Sequence, residues 1–375
     1  MAQADVIVIG AGIVGAACAA ALAARGLDVE VLDAGGIGAG TTAAGMGHLV
    51  VMNDSPAELA LTRRSLALWR ELAPSLRERD AYLRCGTLWV AADDEELDAA
   101  HAMRAGYASA GIAAEVIDAA ALRAREPLLA PGLAGGLFVE GDGIVYAPSA
   151  AEWLLRHSSG AARIRTRLGT RVAALEGTRV RLDGGDTLSA AQVIVANGID
   201  AARLVPGVAL QAKKGHLLIT DRYPGAITHQ LLELGYIKSA HHAQGTSVAF
   251  NAQPRPTGQI LIGSSRQFDT GDPAVEMDVL ARMLARATRY LPGLADLNAL
   301  RTWTGFRAAT PDGLPLIGPA PGRPGVWLAT GHEGLGVTTS LATAELIAAQ
   351  LGGEAPPIAP EPYWPSRVTT EARHD

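Results

Sequence analysis

Residues 6–9 read Val-Ile-Val-Ile, and the next six are Gly10-Ala11-Gly12-Ile13-Val14-Gly15. A short apolar run followed by three glycines at this spacing predicts a buried strand, a tight turn and the opening of a helix. Gly10 suits the turn, Gly12 lets backbone approach a pyrophosphate, and Gly15 lets the helix pack close to the strand. The helix N-terminus then offers N–H groups and a positive dipole end to phosphates. Residues 13–25 continue the helix to a stop at Gly26. Residues 28–32 form a second strand ending in Asp33, whose carboxylate can accept from a ribose diol. This is a crossover unit of about thirty residues. It predicts a bound dinucleotide, with Gly10, Gly12, Ile13, Val14, Gly15, Asp33 and Ala34 around it. It does not by itself separate FAD from NAD.

Positions 6–24 carry no charge, so the run is long enough to raise a membrane span. The glycine breaks and the absence of a basic start favour a buried strand and helix, and no transmembrane segment is expected. Hydrophobic residues are 49% of the chain and charged ones 19%, a packed rather than disordered composition. The net charge of −6, without a Lys/Arg-rich block, argues against nucleic acid. Cys18 and Cys85 are the only cysteines, which excludes a disulfide framework and fits a reducing compartment. Cys18, among alanines, reads as core. The expected location is cytoplasmic, with peripheral attachment to the inner membrane left open.

Length suggests two domains. Helical periodicity marks residues 56–72, 94–110, 149–156, 275–290 and 335–351. Strand patterns mark 87–91, 135–140, 171–175, 179–182, 192–196, 217–220, 236–239, 247–251, 260–264 and 326–329. The predicted class is α/β (α+β overall), a dinucleotide-binding α/β domain interrupted by a strand-rich substrate domain with a mainly antiparallel sheet. Residues 1–82, 141–214 and 300–375 are assigned to the first, and 83–140 and 215–299 to the second.

The segment Gly38-Ala39-Gly40-Thr41-Thr42-Ala43-Ala44-Gly45-Met46-Gly47-His48 is dense in small and hydroxyl residues that can wrap a pyrophosphate and run against a flat ring. Here the sequence resembles the D-amino-acid oxidase superfamily, in the branch holding glycine oxidase, sarcosine oxidase and bacterial D-amino-acid dehydrogenases. The resemblance implies a Rossmann-like FAD-binding domain. It places Gly40, Thr41 and Thr42 at the pyrophosphate and Ala44, Gly45 and Met46 at the isoalloxazine. It also places Val172 near the adenine, and Ala196, Asn197 and Gly198 beneath the cofactor.

The block Trp303-Thr304-Gly305-Phe306-Arg307-Ala308-Ala309-Thr310-Pro311-Asp312-Gly313 resembles the family's carboxylate-binding block. Arg307 would clamp the substrate carboxylate, because a guanidinium fork makes two parallel charge-assisted bonds. Gly331, His332, Glu333, Gly334, Leu335, Gly336, Val337 and Thr338 resemble the segment that aims a helix N-terminus at the flavin pyrimidine. His332 is a candidate to face the site.

Glycine oxidases carry a second arginine near Gly334, and none stands here. Histidine-linked relatives have that histidine where this chain has Thr42, and cysteine-linked ones need a cysteine after Cys85. The resemblance therefore implies non-covalent FAD. Phe250 or Asn251 falls near the family's substrate-covering aromatic, Tyr236 is close in sequence, and His48 is a further candidate. His241-His242 point to opposite faces of a strand, and no metal site is expected. The run 43–52 with 55–61 resembles bacterial D-hydroxyproline dehydrogenases. That implies oxidation of cis-4-hydroxy-D-proline or D-proline to an imine by hydride transfer to flavin N5. The alternatives are a glycine/sarcosine-type amine oxidase and a flavin-carrying subunit of a larger dehydrogenase. The small amino-acid substrate would deliver electrons to O2, a quinone or a partner protein, from a homo- or hetero-oligomer.

Overall fold

The computed structural model describes residues 4–235, 245–268 and 270–368. Tyr236, the strand expected over 236–239 and His241-His242 lie outside the described residues.

The opening unit forms as its pattern requires. Strand Val6–Ile9 pairs in parallel with Val29–Leu32, and helix Ile13–Ala24 crosses between them. All four residues of each strand are buried, as expected of a parallel sheet covered on both faces. Cys18 is fully buried, and burial pushes its thiol up to about 12. Four further strands complete a six-stranded sheet: Ile164–Arg167 beside the second strand, and Gln192–Val195, Val326–Thr330 and Leu316–Pro319 on the other side of the first. Only Leu316–Pro319 runs antiparallel to its neighbour. Helix Gly336–Gly352 packs on helix Ile13–Ala24, and Pro56–Leu72 packs on Gly336–Gly352 in turn.

The second sheet has eight strands and is mainly antiparallel. Its longest members, Gln211–Arg222 and Ala299–Ala309, pair along most of their length. One parallel pair, Gln230–Glu233 with Thr87–Ala91, interrupts the alternation. Helix Met277–Tyr290 covers this sheet through Leu280, Met283 and Ala287. The fold is thus α/β with mixed sheets and helices, as the sequence implies. The boundaries drawn at 214/215 and 299/300 fall at the paired long strands, so the two-domain division stands as a proposal in which these strands join the parts. Among the described residues no helix is long and apolar enough to cross a membrane.

Candidate active site

A cavity of about 830 Å³ runs from the carboxyl ends of strands Val6–Ile9 and Val29–Leu32 to the face of the second sheet. Ligands in open α/β sheets bind at such strand ends.

At the first end, Gly10 has φ +111°, and a Cβ there would stand 2.6 Å from the Ala196 carbonyl oxygen. A Cβ on Gly15 would stand 2.0 Å from the Gly10 oxygen, so helix and strand touch through backbone. Asp33 accepts from Ala11 N–H through Oδ2 and from Gly35 N–H through Oδ1, both at 2.7 Å. Each carboxylate oxygen keeps acceptor capacity for a hydroxyl. Thr42 Oγ1 accepts from Ile13 N–H at 3.1 Å, which leaves its own O–H to donate. Thr41 differs: its hydroxyl donates to the Phe306 carbonyl at 2.7 Å and ties this loop to the second sheet.

At the other end, residues Thr41–Ala44 form one short helical turn against strand Ala299–Ala309. Trp303 Nε1 donates to the Ala44 carbonyl at 3.2 Å, and a Cβ on Gly305 would stand 2.4 Å from Ala44 Cβ. Met46 is buried, its sulfur 3.1 Å from where a Cβ on Gly263 would lie. Arg307 Nη1 donates to the Ser265 carbonyl at 3.1 Å. Its guanidinium passes over Gly215, where a Cβ would stand 2.6 Å from Nη2.

His48 lines the same end. Its Nδ1 lies 2.5 Å from Gln230 Oε1 and its Nε2 3.0 Å from Asn251 Nδ2. Burial, with smaller effects from Arg255 and Arg307, lowers its pKa to about 4, so the ring is neutral near pH 7. His332 faces the cavity wall but bonds Thr343 Oγ1 through Nε2 at 2.9 Å, and burial lowers its pKa to about 3. Glu333, at φ +50°, pairs with Lys213 at 2.5 Å. Among the described residues no group of three or more His, Cys, Asp or Glu could hold a metal.

The cavity brings together most residues singled out from sequence: Gly10, Gly12, Ile13, Val14, Asp33 and Ala34; Gly40, Thr41, Thr42, Ala44, Gly45, Met46 and His48; Val172 and Ala196 to Gly198; Asn251, Arg307, Gly331 to Gly334, Gly336 and Val337. Gly15, Leu335 and Thr338 stand outside its lining. Gly15 serves helix packing, and Thr338 Oγ1 donates to the His48 carbonyl at 2.9 Å, holding the loop. Gly215, Leu217, Ser264 and Trp303 line the cavity as well, and sequence reasoning does not mark them as site residues. A lone glycine inside a strand pattern, such as Gly215, is the one available signal.

These walls fit a flavin dinucleotide. The helix start at Gly12 has no side-chain cap. Asn197 lines the cavity with a buried Oδ1 that has no partner among the described residues. Ala44 packs directly on Gly305, with no room for a side chain between them. Fold and site together define a dinucleotide-cofactor oxidoreductase. The chain belongs to the FAD dependent oxidoreductase family, whose pattern matches residues 5–350, and FAD is its cofactor. It is 29% identical to a glycine oxidase of Geobacillus kaustophilus over 92% of both chains. It is 27% identical to an opine oxidase subunit of Rhizobium meliloti over 94% of both. A crystal structure of glycine oxidase from Geobacillus kaustophilus superposes with a TM-score of 0.86 at 26% identity, covering 99% of this chain and 100% of that one. The chain is thus an FAD-dependent oxidoreductase.

Proposed function

We propose that the protein oxidises a D-amino acid to its imino acid, with cis-4-hydroxy-D-proline or D-proline as substrate. The observation that carries a carboxylate substrate is Arg307. It lies in the cavity wall, braced by the Ser265 carbonyl, with a glycine beneath it. A fork held in this way orients a carboxylate through two charge-assisted bonds. The preference for D-prolines rests on the sequence of residues 43–61.

Bound FAD supplies a hydride acceptor at N5. The chain's part is placement. Arg307 holds the carboxylate so that the α C–H faces the ring, a proximity effect. Met46 and Leu217 close the site with apolar surface. The substrate amine must be neutral, since its lone pair stabilises the forming C=N bond, and no side-chain base is then required. Neutral His48 adds no cation that would repel a positively charged substrate amine on entry. In this reading Thr42 donates to the pyrophosphate, Asp33 accepts from the ribose and Val172 borders the adenine. The start of helix Gly336–Gly352 lies at the pyrimidine end, and FAD is held without a covalent bond.

Similarity to glycine oxidases favours a second reading, a glycine- or sarcosine-type amine oxidase. Similarity to one subunit of an opine oxidase and to one of a hydrogen cyanide synthase favours a flavin-carrying component of a larger enzyme. Anaerobic bleaching of the flavin by cis-4-hydroxy-D-proline, D-proline, D-alanine, glycine, sarcosine and L-proline separates them. Fast bleaching by the D-prolines alone supports the proposal, and bleaching mainly by glycine or sarcosine replaces it with the second reading. Readmitted air then shows whether O2 is the acceptor. Robust turnover by the isolated chain would exclude dependence on a partner.

A further inference from the structure

The cavity wall carries a polar chain that the reaction above leaves unused. It starts at Gln230, which is fully buried. Its Nε2 donates to the Gly143 carbonyl at 2.7 Å and to Thr87 Oγ1 at 3.2 Å. Those partners fix the amide, because the flipped form would set oxygen against the Gly143 oxygen, acceptor on acceptor. Gln230 Oε1 therefore faces His48 Nδ1, 2.5 Å away. Gln253 Nε2 donates to the same Oε1 at 3.2 Å, which is consistent with its role as an acceptor.

The consequence passes through His48. An acceptor that close to Nδ1 requires the proton to be on Nδ1, and a neutral imidazole has only one N–H. Nε2 is then an acceptor. Asn251 must answer it with Nδ2, which it does at 3.0 Å. The Asn251 oxygen is thereby turned away from His48. It is buried, has no partner among the described residues, and belongs to a residue that lines the cavity. A buried acceptor left without a donor is costly, and an occupant of the cavity that Asn251 lines can supply one.

We propose that Asn251 Oδ1 accepts a hydrogen bond from an N–H or O–H of the substrate, with Gln230 and His48 as positioning residues that hold the Asn251 amide in this orientation. The inference rests on the reading of Arg307 as the carboxylate clamp. Asn251 pairs with Gly263, and Arg307 bonds the carbonyl of Ser265, two residues further along that strand. Two strand residues span at most roughly 7 Å. A small carboxylate with a donor on its α-nitrogen or on a ring carbon bridges such a separation. The substrate class is therefore a compact amino acid gripped at both ends, as anion on Arg307 and as donor on Asn251.

The test uses the FAD-loaded enzyme and two planar acids of equal shape, followed by the shift each causes in the flavin absorption. Pyrrole-2-carboxylate carries an N–H beside its carboxylate, and furan-2-carboxylate carries a ring oxygen there. The pyrrole acid should bind at least about tenfold more tightly, the size of one hydrogen bond plus an acceptor left unmet. Asn251→Ala should bring the ratio close to one without loss of FAD. Gln230→Met frees the His48 proton to move to Nε2 and should also erase the ratio. Asn251→Asp added to Gln230→Met should restore it, because a carboxylate accepts in either orientation. A merely structural role for Gln230 would give no such rescue. A second arm compares anaerobic reduction by cis-4-hydroxy-D-proline and D-proline. If the donor is the ring hydroxyl, Asn251→Ala slows reduction by the hydroxylated substrate alone, and the two acids bind wild type equally. Equal acid binding in wild type, together with an Asn251→Ala effect shared by both prolines, overturns the inference while leaving Arg307 in place. Failure of both acids to perturb the flavin overturns the Arg307 reading and this one with it.

Discussion

The Arg307 guanidinium crosses Gly215 so closely that a Cβ on that glycine would stand 2.6 Å from Nη2 and 3.0 Å from the guanidinium carbon. Arg307 pairs with Lys213 and Gly215 with Gly305 in one continuous antiparallel register, so neither backbone can move away easily. The side chain is the part that yields. Gly215→Ala should fold normally and bind FAD, yet push the guanidinium off its line. The Michaelis constant for carboxylate substrates should rise about tenfold, roughly one charge-assisted hydrogen bond. Steady-state kinetics on enzyme of known flavin content checks it, and an unchanged Michaelis constant would separate Gly215 from the clamp.

Arg307 itself gives a sharper contrast. Arg307→Ala should weaken carboxylate substrates by about tenfold to a hundredfold, from the worth of hydrogen bonds to a charged group. Arg307→Lys keeps the charge but not the fork, so it should recover only part of the loss. Full activity in the lysine variant would mean that a point charge suffices and the planar geometry is irrelevant.

The parts of this site that are legible in sequence are local in the chain. The βαβ opening, the 38–48 loop and Arg307 announce themselves through neighbours within a few residues. The apolar pattern marks only 217–220 of the strand Gln211–Arg222, because Lys213 and Lys214 interrupt it. Both lysines are nonetheless buried, paired with Glu333 at 2.5 Å and Glu276 at 2.8 Å. Strand Ala299–Ala309 reads as a motif and not as a strand, since its half-buried polar residues show no clear alternation. The polar chain through Gln230, His48 and Asn251 draws on three distant segments, and no local signal marks Gln230. His332, a candidate to face the site, spends its Nε2 on Thr343.

Flavin affinity should depend on the contact between Gly305 and Ala44. A Cβ at position 305 would lie 2.4 Å from Ala44 Cβ, and neither methyl group can rotate out of the way. The short turn Thr41–Ala44 must then shift away from the strand, taking Thr42 Oγ1 with it. Gly305→Ala should therefore release FAD more readily while the apo-protein keeps its fold. Flavin fluorescence during dilution measures the release, with circular dichroism to confirm the fold. Unchanged retention would show that the turn does not border the cofactor.

Asp142 makes stability depend on pH in a direction opposite to that of the two buried histidines. Its side chain is buried, Oδ1 accepts from Val51 N–H at 3.0 Å, and Oδ2 has no partner among the described residues. Burial raises its pKa from 3.8 to about 7, against weaker opposing effects from Thr87, Val51 and Arg70. A carboxyl whose folded pKa exceeds its unfolded one contributes stability that is fully present below pH 3.8 and lost as pH rises through about 7. His48 and His332, lowered to about 4 and about 3, contribute stability above pH 6.5 that is lost as pH falls toward those values. Glu58, also raised to about 7, acts in the same sense as Asp142. The whole-protein melting curve thus mixes both signs, and a difference is needed. Asp142→Asn keeps the shape and the Val51 bond but cannot ionise. Relative to wild type, its melting temperature should improve steadily from about pH 4 to about pH 7 and level off above. A difference that stays constant over that range would mean Asp142 is already ionised in the fold at about pH 4, with a partner close enough to outweigh its burial.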